Sequence, residues 1–485
     1  MTHFESEDKN SVFNRFVRDF GLYSIAKLVP AVASLIALMV FTRFFPPAAY
    51  GRYALAASFI GIFSTLCFDW VGKSVYRFAA EMRDDVVVGN AISMVSLTAF
   101  SLVVLGTAGY VLWGAEMGDF RPFYFAVLIV IVVQGFFQTF KWFFQTTLQS
   151  KSVMGYRIFE SLLKLALSLL LAILVLNHIV GWIWGAVAAT GVTVLLMAYK
   201  LGRSNLRPRL DPKVVRRFTR YGVPMLGWMI GVPLLSQADR VLLELLRGSA
   251  AVGIYSSNYQ ITDSGIRLVF SPIITAAYPI IMNTLEESNE QEVAGLITRF
   301  SRYFVLIAVP AFIGAAFLSR TLSSVLLDDA YLEGYIVIPF VAGGVLFLTL
   351  ANIGQITMEV REQTKLISAA ALTAVVVNLL LNIPLITLYG YLGAAVATTV
   401  SYSTYALLVY YFSKRHLEWT LPTSTIRNTI VGGALMATPP AVLYVSDSYT
   451  ALRVTIALLV GFAGYVAVLY SLGEVDEEKI YSLIE

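Results

Sequence analysis

Polar and apolar positions follow one another along this chain in long blocks, with apolar runs near twenty residues separated by short stretches that hold most of the arginine and lysine. About 20 consecutive apolar residues is the length at which an α-helix crosses a hydrocarbon core. The first such run is Gly21 to Phe45, and others lie near 53–70, 89–112, 123–141, 160–176, 180–200, 221–237, 253–281, 303–319, 334–354, 366–388, 391–412, 427–445 and 452–472. The pattern therefore predicts an all-α polytopic membrane protein of about fourteen transmembrane helices, with tight turns at 176–182 and 388–391. Residues 1–20 are polar and amphipathic, and the run that follows is longer than a signal-peptide core and has no clean cleavage context, so it reads as a retained first helix.

Composition supports the same class. Of 485 residues, 58% are apolar and 14% charged, and the mean hydropathy is +0.73, whereas soluble domains are roughly 25% charged. The single cysteine, Cys67, excludes an internal disulfide and a thiolate metal cluster, and His3, His178 and His416 are too scattered for a histidine zinc site, so neither metal nor cofactor is expected. The formal charge of +4 takes its meaning from position. With the N-terminus inside, the inner connections carry Lys73, Arg77, Arg83, Arg157, Arg203, Arg207, Arg209, Arg217, Arg361 and Lys414 among others, and the outer ones only Arg43, Arg52, Arg121, Arg240, Arg247, Arg320 and Arg453. A bias of roughly three to one or better predicts both termini in the cytoplasm of a multi-pass cell-membrane protein. Basic residues spread over many short loops do not form a nucleic-acid surface.

An offset of 202 residues aligns Phe16-Val17-Arg18 with Phe218-Thr219-Arg220 and Ala48-Ala49-Tyr50-Gly51-Arg52-Tyr53 with Ala250-Ala251-Val252-Gly253-Ile254-Tyr255, without a gap. Six spans separate the two copies, so they share one orientation, as in a parallel repeat about an axis along the membrane normal. The expected plan is a six-helix bundle at 1–202, a basic cytoplasmic linker at 203–217, a second six-helix bundle at 218–412, and two appended helices with a tail at 413–485. Two halves about a pseudo-two-fold axis are an architecture for alternating access, which makes transport the leading function.

Ionisable groups inside spans cost about 2.5–3.5 kcal/mol each at a helix centre, so each needs a reason. Arg267 lies near the middle of its span with Asp263 one turn earlier, which allows an ion pair, a functional cation, or both. Lys27 has no acidic residue at helical spacing, which favours a cavity-facing cation over snorkelling. Lys164 has Glu160 one turn earlier, and a structural pair is the expectation. Asp69 and Glu359 sit at helix ends, where solvated carboxylates are expected. Gln134, Gln138, Lys141, Gln145 and Gln149 recur at spacings of 4, 3, 4 and 4 and so share one helical face, beside Phe136, Phe137, Phe140, Trp142 and Phe143. Amides interleaved with aromatics suit sugars, which present hydroxyl edges and apolar faces; amide bonding between helices is the plainer alternative. Asn352, Gln355 and Glu359 form a shorter face of the same kind.

Other signals carry less. Pro30, Pro224, Pro233, Pro310, Pro339 and Pro384 lie inside spans, where prolines kink helices and free carbonyls. The Gly181-x-x-x-Gly185 and Gly227-x-x-x-Gly231 spacings permit close helix contact. Gly72-Lys73-Ser74 ends like a phosphate loop, but Cys67 stands where that loop needs glycine. The Asp84-Asp85 and Asp328-Asp329 pairs read as solvated loop charges, and no connection is long enough for a catalytic domain outside the membrane.

The segments Arg217-Phe218-Thr219-Arg220-Tyr221-Gly222-Val223-Pro224, Ala238-Asp239-Arg240-Val241-Leu242-Leu243 and Ala250 to Ser256, with Thr42-Arg43-Phe44 and Tyr50-Gly51-Arg52-Tyr53 in the first half, resemble the Wzx-type polysaccharide transporters of the multidrug/oligosaccharidyl-lipid/polysaccharide (MOP) superfamily. The resemblance covers essentially the whole chain. It implies a flippase that moves a polyprenyl-(pyro)phosphate-linked oligosaccharide from the cytoplasmic to the outer leaflet, with no catalytic residues. It further implies a cationic cavity for which Lys27 and Arg267, then Lys164, are the candidates, with Asp263, Gln134, Gln138, Lys141, Gln145, Asn352 and Gln355 as further substrate contacts. The partners expected are the lipid-linked oligosaccharide, membrane lipids and glycan-assembly enzymes, with the chain working as a monomer. An ion-coupled multidrug antiporter of the same superfamily is the alternative, but it would want acidic groups where this chain has basic ones. A membrane-embedded glycan polymerase would want a large outer loop with catalytic residues, and the outer connections are short.

Overall fold

A computed structural model of the protein describes residues 28–147, 150–287, 290–361, 363–446 and 450–474. Lys27 and Gln149 lie outside the described residues. Helices account for nearly all of the rest: α1 (Leu28–Phe44), α2 (Pro47–Ser64) running through a π-turn at Thr65–Asp69 into α3 (Trp70–Phe78), α4 (Asp84–Trp113), α5 (Tyr124–Thr146), α6 (Ser150–Leu169) extended by a π-helical segment at Leu170–Val175, α7 (Val180–Leu201) and α8 (Pro212–Arg247). There follow α9 (Ser249–Glu287), α10 (Glu290–Leu326), α11 (Val337–Val360), α12 (Thr364–Tyr389), α13 (Tyr391–His416), α14 (Thr423–Val445) and α15 (Ala451–Ser471). With α2 and α3 taken as the single span Pro47–Phe78, eleven helices among the described residues are long and apolar enough to cross a bilayer, and α8 and α9 run for 36 and 39 residues. The protein is an all-α, multi-pass membrane protein.

Helices overrun the apolar runs because polar residues at the interface still complete backbone hydrogen bonds. The second span, expected at 53–70, occupies Pro47–Phe78, and α8 begins at Pro212, before the predicted linker ends. Pro47 occupies the first turn of α2, where its missing N–H costs nothing. Gly248 separates α8 from α9 at φ +80°, its N–H reaching the carbonyls of Leu243 (3.1 Å) and Glu244 (3.0 Å), a left-handed cap that favours glycine.

The chain divides into two compact units, up to Arg240 and from Val241. In the first, α5 packs against α2, α3, α4 and α7, and α6 lies along α7. That last contact is unusually close: a Cβ at Gly181 would sit 2.4 Å from the Ala172 backbone, and one at Gly185 would sit 2.4 Å from that of Ser168. The Ser168 hydroxyl donates to Trp182 O at 3.0 Å across the same seam. In the second unit, α11 packs against α9, α10 and α13, and α12 lies along α13. The last two helices rest on α10 through Ile313, Met436, Val454, Leu458, Tyr465 and Leu469. The Glu474 carboxylate closes that group, accepting from Arg302 (3.0 Å), Thr425 (2.9 Å) and Asn428 (2.9 Å). Burial pushes this carboxyl upward, but the three hydrogen bonds outweigh burial and hold it below its ordinary value.

The segment before α8 is fastened to the first unit. Arg209 Nη2 lies 2.8 Å from Asp85, whose side chain is only 15% exposed and also meets Arg83 at 3.1 Å. Arg209 N–H donates to Gly89 O (3.2 Å), Asp211 N–H donates to Asn90 Oδ1 (2.8 Å), and Arg217 pairs with Glu81. A hydrogen bond from Arg77 and then the pairing with Arg217 hold the Glu81 carboxyl below its usual range. Asp85 is therefore a paired group rather than the solvated loop charge expected, because the basic linker folds back over it.

Candidate functional site

A cavity of about 270 Å³ opens inside the first unit between α1, α2, α5, α6 and α7. Each helix contributes by its periodicity. On α6, Arg157, Glu160, Ser161, Lys164 and Leu165 fall at i, i+3, i+4, i+7 and i+8, so one face turns inward. Pro30, Ala33, Ser34 and Ala37 repeat that spacing on α1, and their small side chains leave the space open. Phe137, Gln138 and Lys141 come from α5, Tyr53 from α2 and Trp182 from α7.

Charge is concentrated there. Lys141, Arg157 and Lys164 face one carboxylate, Glu160, and none of the three cations makes an ion pair within 4.0 Å among the described residues. The Lys141 ammonium donates to Gln138 Oε1 and lies 4.8 Å from the centre of the Trp142 ring, which also carries Lys73 at 4.3 Å. Glu160 Oε1 accepts from the Thr190 hydroxyl at 3.0 Å. Lys164 and Glu160 thus share the cavity without the ion pair expected of them. The remaining wall is aromatic. Trp182 is sandwiched between Phe41 and Tyr53, with centroids 4.0 Å away on each side and planes within 13° and 10°. Cations, an amide and a flat aromatic wall in one pocket suit an anion attached to a polar molecule with apolar faces.

Of the residues singled out in the sequence, Gln138, Lys141 and Lys164 meet in this cavity. Gln134 turns instead to Ser64, whose hydroxyl donates to it at 3.0 Å, and Gln145 is exposed. Asp69 is not the solvated carboxylate expected: Oδ2 accepts from Thr65 at 3.0 Å and Oδ1 is buried without a partner among the described residues. Arg267, Asp263, Asn352 and Gln355 belong to the second unit. There Arg267 Nε donates to both Asp263 oxygens at 2.8 Å, with the guanidinium side chain 55% exposed. Gln355 is buried, accepting from the Tyr405 hydroxyl at 2.6 Å and donating to Glu359 at 2.5 Å, while Asn352 on the same helix is half-buried. Arg157, Tyr53 and Trp182 were missed as lining residues. The i, i+3, i+7 spacing of Arg157, Glu160 and Lys164 was the available signal.

The family model for the polysaccharide biosynthesis proteins matches residues 16–285, more than half of the chain. The chain belongs to this family. Among relatives of this family member is the protein described as the probable low-salt glycan biosynthesis flippase Agl15 of Haloferax volcanii, 23% identical over 257 residues that make up 53% of each chain. This chain thus spans about half the length of that relative. Among solved structures, the lipid II flippase MurJ in an inward closed conformation superposes with a TM-score of 0.74 at 14% identity, covering 92% of this chain and 97% of that one. An inward-facing multidrug resistance MATE transporter of the MOP superfamily gives 0.68 at 12% identity, covering 81% and 97%. The family member therefore shares the MOP fold.

Proposed function

We propose that this protein is a flippase that carries a polyprenyl-phosphate- or polyprenyl-pyrophosphate-linked oligosaccharide across the cell membrane, from the cytoplasmic to the outer leaflet, by alternating access. One observation carries the reading: three cations that make no ion pair within 4.0 Å among the described residues, Lys141, Arg157 and Lys164, converge on a membrane-embedded cavity that also offers Gln138 and the Tyr53–Trp182 wall. Charged groups at this depth are costly and are kept where they meet a ligand or line a path. A phosphate would take the cationic end and sugar rings the amide and aromatic surfaces. A family model for polysaccharide biosynthesis and a relative described as a glycan flippase support this cargo class. An antiporter for cationic drugs would meet like charge in this cavity. With the N-terminus cytoplasmic, as the distribution of arginine and lysine favours, Lys141 and Arg157 lie toward the cytoplasmic ends of α5 and α6, where a lipid phosphate enters. In the second unit, Arg267 is balanced by Asp263, so the cationic role falls on the first unit.

The test is the sidedness and mass of lipid-linked glycans in cells lacking this protein, comparing intact spheroplasts with lysed membranes exposed to a glycan-cleaving enzyme. One intermediate should accumulate, protected in intact cells. It should clear with the parent protein and not with a Lys141→Ala/Arg157→Ala variant. A lipid-linked pool unchanged in amount and sidedness would overturn the assignment.

A further inference from the structure

We infer that Glu160 is a built-in competitor for the cations of this cavity and that Thr190 keeps it in reserve, so that one carboxylate sets how firmly an anionic head group is held and how readily it leaves. The inference rests on the anionic cargo proposed above and concerns its release. Arg157 is three residues before Glu160 and Lys164 four residues after it, on one face of α6. Opposite charges at these spacings ordinarily pair. Here neither cation lies within 4.0 Å of the carboxylate, which instead accepts from the Thr190 hydroxyl at 3.0 Å. Thr190 is only 2% exposed, and it sits on α7, which Gly181 and Gly185 press against the α6 segment, so the donor's position is fixed by packing.

A transport site must bind well enough to load and weakly enough to empty. Three cations with no carboxylate to compete for them would hold a phosphate through the whole cycle. A carboxylate on the same helix face as two of them, held by Thr190, supplies the missing weakness. When its Thr190 bond opens, it can replace the phosphate as the partner of Arg157 or Lys164, so the cation is not left unpaired as the cargo departs. Thr190 is a positioning residue in this scheme, and Glu160 is the group that contends with the ligand.

The experiment uses the full chain in lipid nanodiscs, with inorganic pyrophosphate and farnesyl diphosphate as probes, and isothermal titration at fixed ionic strength. Glu160→Gln should tighten both probes about tenfold, and Thr190→Val should loosen them several-fold, changes of the size that single charge-assisted hydrogen bonds produce. In the Glu160→Gln background Thr190→Val should have no further effect, and Thr190→Ser should restore parental binding. Lys141→Ala serves as the separate arm. Should Lys141→Ala leave probe binding unchanged, or the parent bind neither probe, the anionic-cavity reading falls and this inference with it. Should Lys141→Ala weaken binding while Glu160→Gln weakens it or leaves it unchanged, or Thr190→Val loosen it equally in both backgrounds, the cavity reading stands and the competitor role is overturned.

Discussion

Replacing Gly185 by alanine tests the α6–α7 seam on which the cavity's geometry depends. The new Cβ would lie 2.4 Å from Ser168 Cα and N and 2.6 Å from its Oγ. Non-bonded carbons rest near 3.5–4.0 Å, so the helices must part by about 1 Å. The obstacle is backbone, which no rotamer change can clear. Overpacking of this kind costs about 1–3 kcal/mol, and the Ser168 to Trp182 hydrogen bond across the seam adds about 1 kcal/mol if it breaks. Against this, alanine gains about 1 kcal/mol of helix propensity over glycine. Net destabilisation of about 1–3 kcal/mol follows. Gly191 provides the control, because it lies on the same helix with nothing within 4 Å of its Cβ position. Gly191→Ala should therefore show only the propensity gain, stabilising by about 1 kcal/mol. The assay is thermal unfolding in detergent, read by retention of monodisperse protein. Gly185→Ala should melt below the parent and Gly191→Ala at or above it. Equal melting temperatures for the two variants would refute the reasoning, since they differ in the seam and in nothing else that the argument uses.

Three further outcomes are expected. Gln138→Ala should lower glycan translocation about tenfold, while Gln134→Ala, whose amide is engaged with Ser64, should change it less than twofold, compared by radiolabelled lipid-linked glycan in reconstituted vesicles. Gly89→Ala would place a Cβ 2.6 Å from Arg207 O and should release the segment before α8, seen as faster backbone hydrogen exchange across 203–211. The Glu474 carboxyl is held low in the folded protein, so its contribution is complete above the ordinary carboxylate value near pH 4.3 and is lost as pH falls through the lower folded value. Hydrogen exchange in α14 and α15 should rise over that interval in the parent, and Glu474→Gln should flatten the dependence.

The number and placement of helices were legible because each apolar run is long and its boundaries are set by bilayer thickness. Boundaries shifted where polar residues carry a helix beyond the hydrocarbon, as at Pro212. That same extension hid Arg157. Counting the fifth span from residue 160 leaves Arg157 in a loop, whereas α6 begins at Ser150 and turns it into the cavity. Phase within one helix is a property of sequence, so Gln138 and Lys141 could be assigned to one face. Which partner that face meets depends on distant segments. For this reason Lys164 and Glu160 read as a pair although Thr190, thirty residues beyond Glu160, takes the carboxylate. In the sequence Tyr53 marks only the repeated turn and Trp182 carries no separate signal, because aromatic residues near helix ends are common in every membrane protein.

The anchored segment before α8 bears on how this chain could be handled in two pieces. Arg209, Asp211 and Arg217 are held by Asp85, Asn90 and Glu81, and the compact unit they join continues to Arg240. A gene divided within 203–217 would part Arg217 from Glu81 and, where the cut precedes Arg209, Arg209 from Asp85, leaving the two carboxylates with only Arg77 and Arg83 as partners. A break at the Gly248 turn keeps every one of these pairs on a single polypeptide. Co-expressed fragments split there are the ones that should reassemble. During synthesis, likewise, the first half cannot finish closing until the ribosome has delivered the opening turns of α8.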